Sequence, residues 1–343
     1  MTLRVLHLAG SPVSDFYADL SRLYAADALV ATADPERYEF VAAYVAPGGR
    51  WCFPSDLTPE AIAAAPSMEV GEALAHLASL DLDVAVPQLF CIPGMTSYRA
   101  LLDVLAIPYV GNTPDAMALG AHKARARSVV AAAGVSVPAG EVLRIGERPS
   151  IAPPAVVKPV DADNSLGIGL VRESDEYDDA LAAAFAHSDE VLVESYVELG
   201  REVRVGLVER SGELVGLPLE EYSVHPDTKP IRDHADKIGA GVEGGLKLMA
   251  KDAEHAWIVD AADPLTERVQ EAARRCHRAM GARYYSLFDF RIDEHGEPWF
   301  LEAGLYCSFA RTSVVAVMAA AAGITLPDLF ATALAETLDH PRQ

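Results

Sequence analysis

The chain opens on a short apolar run over residues 4–9, turns at Gly10-Ser11-Pro12, and passes into a helical pattern over 19–29. Further apolar runs at 39–45, 82–86 and 107–110 predict strands, the first closed by Pro47-Gly48-Gly49. Helical patterns at 69–80 and 97–105 lie between them. Strands alternating with helices over this length predict a mostly parallel sheet with helices on its faces. Ligands of such sheets bind beyond the carboxyl ends of the strands, which makes 10–15 and 93–97 candidate site loops.

After Gly111-Asn112-Thr113-Pro114 the pattern changes. One helix is expected over 115–133, ending at Gly134, and the chain then passes Pro138 into an apolar stretch before a loop at 149–154. Strands at 155–159, 168–171 and 190–194 and a helix over 174–186 predict a small α+β lobe. Beyond Tyr196, strands at 201–210 and 214–220 meet at Ser211-Gly212. A helix over 264–280 precedes a hairpin, 284–292 with 298–302, and helices at 312–322 and 326–338 close the chain. The stretch 223–245 is poor in apolar residues and too long for an ordinary connection, so it is expected to cover a ligand. The expected organisation is an N-terminal α/β domain over 1–112, a small central lobe over 113–196 and a C-terminal lobe over 197–343.

Composition narrows the partners. A length of 343 residues with 51 % hydrophobic positions suits two or three folded domains rather than a disordered chain. The formal net charge of -22 excludes nonspecific nucleic-acid binding, although a few lysines and a metal ion in one cleft still suffice for ATP. No long apolar segment follows Met1, and the alanine-rich stretches 129–134 and 314–323 fall short of the roughly 20 residues that span a bilayer. No membrane partner is expected. The scattered Cys52, Cys91, Cys276 and Cys307 show no metal-ligand spacing and fit a reducing cytoplasm.

Two features carry chemistry. In Pro154-Ala155-Val156-Val157-Lys158-Pro159 an apolar strand delivers a lysine, and the following Asp161–Gly169 loop offers Ser165, Gly167 and backbone N–H groups. Phosphates need that mixture of fixed charge and directed donors. The plainer reading is an edge-strand lysine beside a solvated turn. The second feature is Asp289 and Glu302, on apolar strands that a hairpin sets side by side. Two carboxylates facing one cleft repel unless a cation lies between them, and hard oxygen ligands suit Mg²⁺ shared with nucleotide phosphates. The alternative is that one carboxylate faces solvent or pairs with Arg291.

In this order and spacing, the pieces resemble the D-alanine–D-alanine ligase branch of the ATP-grasp superfamily over nearly the whole chain. The likeness is clearest over 101–202 and 280–302. It implies a three-lobed ATP-grasp fold, ATP and Mg²⁺ as cofactors, and amide formation between small carboxylate and amine substrates such as amino acids, through an acyl phosphate. It also implies a possible homodimer. Ala121-His122-Lys123 stands where the family commonly has Met-Asp-Lys, which makes Lys123 a nucleotide lysine beside Lys158. Ser165 and Gly167 fall in the phosphate loop, Glu194, Tyr196 and Val197 in the adenine strand, and Glu202 of Gly200-Arg201-Glu202 faces the ribose. Asp289 and Glu302 become the metal ligands.

The departures lie on the amino-acid side. Leu287 replaces an arginine usual two residues before the metal aspartate, and Gly304 offers no side chain to a second metal ion. The family's His-Gly-x-x-Gly-Glu-Asp-Gly loop has no counterpart near Cys91–Thr96. Asp15 is a candidate for the missing amine-side glutamate; Arg291 and Arg311 are candidates for the missing arginine, against an ordinary salt-bridge role for each. Cys307 lacks a base partner, and His7 and His122 read as structural. The expected function is a ligase joining amino acids other than in ordinary D-alanyl-D-alanine synthesis. The alternatives are a noncatalytic nucleotide-binding homologue, or an enzyme using a nonamine acceptor.

Overall fold

The computed structural model describes residues 2–162, 165–225, 227–232 and 254–339. Its first sheet holds β1 (Leu3–Gly10), β2 (Tyr38–Val45), β3 (Trp51–Cys52) and β4 (Val84–Pro87), in the order β3-β2-β1-β4. β1 runs parallel to both β2 and β4, and the short β3 is antiparallel to β2. Around it lie α1 (Asp15–Ala31), α2 (Pro59–Ala64), α3 (Val70–Ser79), α4 (Ile92–Met95) and α5 (Ser97–Val104). Helix α1 buries Ala18, Ser21, Ala25 and Ala28, small residues at helical spacing that let it lie close on the sheet. Ser21 Oγ accepts from the Gly10 N–H at 2.7 Å and donates to the Gln88 carbonyl at 2.7 Å. That hydroxyl ties together the chain at the carboxyl ends of β1 and β4.

The single helix expected over 115–133 is two, α6 (Pro114–Gly120) and α7 (Lys123–Ala132). His122 takes extended backbone angles, φ -110° and ψ 97°, and its Nδ1 accepts from the Arg125 N–H, so it caps α7 instead of continuing α6. The break turns the Lys123 N–H toward the Val160 carbonyl, 2.7 Å away.

The second sheet is antiparallel, in the order β5-β8-β6-β7, from β5 (Gly140–Arg144), β6 (Ala155–Pro159), β7 (Gly169–Val171) and β8 (Glu190–Ser195). Helix α8 (Tyr177–Phe185) covers it, and Val157, Val171, Leu181 and Val193 belong to a core drawn from this sheet and its own connections.

The third sheet runs β12-β11-β9-β13-β14, with β10 also on β9. Its strands are β9 (Arg201–Arg210), β10 (Glu213–Gly216), β11 (Glu220–Tyr222), β12 (Ala256–Ile258), β13 (Tyr285–Ile292) and β14 (Pro298–Gly304). The strand expected over 214–220 divides into β10 and β11 because Gln270 Nε2 takes the Leu217 carbonyl at 2.9 Å, out of the ladder. Helix α9 (Thr266–Ala279) buries Val269, Gln270, Ala273, Cys276 and His277 along one face. Helices α10 (Val314–Ala321) and α11 (Leu326–Asp339) follow.

One apolar cluster joins Val5 and Val84 of the first sheet to Val208 and Tyr285 of the third, with Phe330 of α11 between. Asn112 adds a polar seam. Its Nδ2 donates to the carbonyls of Tyr285 and Leu305, and its Oδ1 accepts from the Arg283 N–H. Among the described residues no single helix is long and apolar enough to cross a membrane. Helices α10 and α11 have the composition only as a pair bent by 109°, and both contribute to the core.

Candidate active site

The site begins with register. On β9, Glu202 and Arg204 stand opposite Arg291 and Asp289 of β13, and on the far side of β13 Asp289 stands opposite Glu302 of β14. Residues two apart on a strand share a face, so opposite charges alternate across this surface. Arg204 grips Asp289 with Nε on Oδ1 at 2.5 Å and Nη2 on Oδ2 at 2.6 Å. Arg291 Nη2 donates to Glu202 Oε2 at 2.9 Å and to the Pro230 carbonyl at 2.6 Å. Arg232 spans both rows, with Nε on Glu202 Oε1 at 2.5 Å and Nη2 on Asp289 Oδ2 at 3.2 Å.

These contacts set the charges. Burial raises the Asp289 carboxyl, but the Arg204 and Arg232 guanidiniums outweigh burial and the opposing Glu302 charge, holding it below the usual carboxylate range. The Cys307 thiol is pushed up to about 12 by burial, which leaves it protonated and inert.

Facing this surface are the central strands of the second sheet, β6 and β8. β6 carries Lys158, buried, whose Nζ lies 2.5 Å from Glu194 Oε2 on β8. Arg127 of α7 holds the other oxygen of Glu194 at 3.0 Å. Between the two sheets lies a cleft with an empty volume of about 660 Å³. Lys158, Ser165, Glu194, Tyr196, Val197, Glu202, Asp289, Arg291 and Glu302 all line it. Ser165 has φ 57° and Gly167 φ 69°, so the loop after β6 is turned tightly. A Cβ on Gly167 would meet His187, Pro159 and the Ala183 carbonyl within 3.1 Å.

A family profile described as "D-ala D-ala ligase C-terminus" matches residues 146–335. The D-alanine–D-alanine ligase of Gloeobacter violaceus is 30% identical over 249 residues, 70% of this chain and 77% of that one. The chain belongs to the D-alanine–D-alanine ligase family. The family is one of ATP-dependent, amide-forming ligases, in agreement with the enzyme class expected from the sequence. The ligase of Trichlorobacter lovleyi is 31% identical over 217 residues, 62% of each chain, so that match spans less than two thirds of the relative. Solved structures extend the likeness in fold to the whole chain. VanG D-Ala:D-Ser ligase from Enterococcus faecalis superposes with a TM-score of 0.79 at 20% identity, over 98% of this chain and 100% of that one. A Bacillus anthracis D-alanine–D-alanine ligase complexed with ATP gives 0.72 at 19% identity, over 99% of each. The fold is the ATP-grasp fold expected of the family.

Other residues singled out in the sequence lie elsewhere. Lys123 Nζ donates to the Ala162 carbonyl in the loop after β6, and Lys123 is not among the residues lining the cleft. Asp15 is the exposed first residue of α1, after the Ser14 cap. Arg311 pairs with Asp27 near the other end of α1, by Nη2 at 3.2 Å and by its backbone N–H at 2.7 Å. Twelve residues of helix separate Asp15 from Asp27, about 18 Å, so Asp15 and Arg311 do not converge on one small group. His122 caps α7, and His7 is enclosed in the first sheet. Asp163, Asn164 and most of 223–245, including its expected covering role, fall outside the described residues.

Sequence reasoning passed over Arg204, Arg232 and Arg127. The signal for Arg204 was present: Glu202-Val203-Arg204 and Asp289-Phe290-Arg291 are two acid-x-arginine strands whose antiparallel pairing sets each acid against the other strand's base. Arg232 left no such trace, because it belongs to no strand.

Proposed function

We propose that the protein is an ATP-dependent carboxylate–amine ligase that joins amino acids or related small molecules through an acyl phosphate. The observation that carries this is the facing of Lys158 and Ser165 on one wall of the cleft against the Asp289–Glu302 pair on the other. On this reading the three sheets correspond to lobes over 1–112, 113–196 and 197–343. The adenine lies by Tyr196 and Val197, its ribose by Glu202, and the phosphates by Lys158, Ser165 and Lys123, with Gly167 keeping their loop tight. Glu194 holds Lys158 in place; Arg291, fastened to Glu202 and the Val197 carbonyl, positions the adenine wall.

The donor carboxylate attacks the γ-phosphorus, and ADP leaves. The amine then attacks the acyl carbonyl, losing a proton as the C–N bond forms and phosphate departs. The fixed cations of the cleft offset phosphate charge, and closure excludes the water that would hydrolyse the acyl phosphate. Asp289 and Glu302, adjacent in register, are the residues that would hold a divalent ion such as Mg²⁺, which would supply positive charge to offset that of the phosphates. Beside that pair, Gly206, Leu287 and Gly304 form an uncharged row across β9, β13 and β14. This row favours substrates other than two D-alanines. Asp15 and Arg311 are kept as acceptor-side candidates at separate ends of α1. The setting is cytoplasmic and the assembly a homodimer, in line with the family resemblance.

A noncatalytic reading draws on the arginines that occupy Asp289 and Glu202. ADP release from Mg·ATP across L- and D-amino acids, singly and in pairs, with mass analysis, separates the two. A condensation mass with ADP supports the ligase and names its substrates. Nucleotide binding without turnover across the panel supports the noncatalytic reading. Hydroxylamine traps an acyl phosphate if the acceptor is not an amine.

A further inference from the structure

Two guanidiniums share Asp289, and they are held very differently. Arg204 lies within β9, whose backbone is fixed by β13 on one side and β11 on the other. Its backbone is thus held opposite Asp289. Arg232 follows β11 and lies in no strand, yet its guanidinium is enclosed. It stacks 3.7 Å from the centre of the Tyr222 ring while bridging Glu202 and Asp289. Asp289, Glu302, Arg204 and Arg232 together carry two negative and two positive charges, so this quartet has no net attraction for a cation. Removing Arg232 from it leaves one net negative charge beside two carboxylates.

Resting on the ligase reading, we propose that Arg232 is an internal cation standing in for the divalent ion, so that the site accepts metal only together with a nucleoside triphosphate. The triphosphate supplies the oxygens that a displaced guanidinium needs, while the metal takes over the carboxylates. Arg232 and Asp289 each exchange one partner for another of the same sign, and Glu202 keeps Arg291. Among the described residues no third carboxylate, histidine or cysteine joins Asp289 and Glu302, so phosphate oxygens are needed to complete the metal's shell as well. Arg232 is thus a positioning residue that sets the form in which the ligand enters.

The test is Mn²⁺ binding, read from the electron-spin signal of the free ion, in wild type, Arg232→Gln and Arg232→Lys. Each is measured alone and with a nonhydrolysable ATP analogue, after circular dichroism has established folding. Without nucleotide, Arg232→Gln is expected to bind Mn²⁺ about tenfold more tightly than wild type, the effect of deleting one competing charged hydrogen-bond partner. Arg232→Lys, which keeps the charge but not the bridge, falls between them. With the analogue present, the three affinities converge. Equal metal-only affinities, or a difference that persists with nucleotide, would overturn the proposal. A wild type that binds the analogue and Mn²⁺ together but shows no effect of Arg232 refutes this inference alone; one that binds neither refutes the ligase reading with it.

Discussion

His7 sits in the middle of β1, fully enclosed, with its ring 4.7 Å from that of Phe40 and 6.0 Å from that of Phe330. Gln88 Nε2 lies 3.3 Å from its Nδ1, so Nδ1 accepts and the single ring proton is on Nε2. A second proton would set one N–H against another in an apolar surround. Burial therefore lowers the His7 pKa from 6.5 to about 3. Between those values the unfolded chain binds the proton and the folded chain does not, so stability falls as the pH falls. At pH 8 the effect is negligible; at pH 5 it amounts to about 2 kcal/mol, and it approaches about 5 kcal/mol below pH 3. His7→Asn keeps an acceptor for Gln88 but cannot titrate. Urea unfolding followed by tryptophan fluorescence at pH 8 and pH 5 isolates the term. Wild type should lose about 2 kcal/mol more than the variant over that interval. Asp289 does not confound the comparison, because a depressed carboxyl protonates only in stronger acid. Equal losses in the two proteins would refute the reasoning.

Three further substitutions probe the frame and the site. In Gly10→Ala the new Cβ would lie 2.0 Å from the Val45 carbonyl oxygen at φ +100°, and thermal melts should show a loss of about 3 kcal/mol or more. A Cβ at Gly304 meets Leu287 at an ordinary 3.5 Å, so Gly304→Asn should fold. Its side-chain carbonyl, on the same face as Glu302, should tighten Mn²⁺ binding in the presence of nucleotide about tenfold by calorimetry. An unchanged affinity would place the residue away from the metal. Arg311→Ala breaks an exposed pair and should cost under about 1 kcal/mol; a large rise in KM for one substrate would instead make Arg311 a substrate ligand.

The strands that carry the chemistry were legible because they are apolar, short and bounded by turns. Residues 155–159 and 201–210 form strands with the predicted limits, and the hairpin set Asp289 beside Glu302 as expected. The break between α6 and α7 was not legible. Its residues, Ala121 and His122, are acceptable inside a helix, and only the docking of Lys123 on Val160 makes a new start favourable. β5 was legible only as an apolar stretch: it buries only Leu143 well, so its alternation is too faint to mark a strand. At the site, residue types disclosed which groups were charged but not which partner each would choose. Arg311 was open to a substrate role or an ordinary salt bridge, and its partner Asp27, distant in sequence, could not be read in advance.

The Asn112 seam divides the molecule unequally. The first and third sheets share one apolar cluster with the Asn112 amide bonded across it, whereas the second sheet encloses a core of its own. Over generations the second sheet is therefore free to drift, or to be exchanged between relatives, as a piece. The other two must change in step, since a volume altered on one side is felt across the seam. A lineage that acquired new substrates would carry the record as paired replacements on both sides of Asn112, and a graft meant to transfer its specificity would have to move both halves at once.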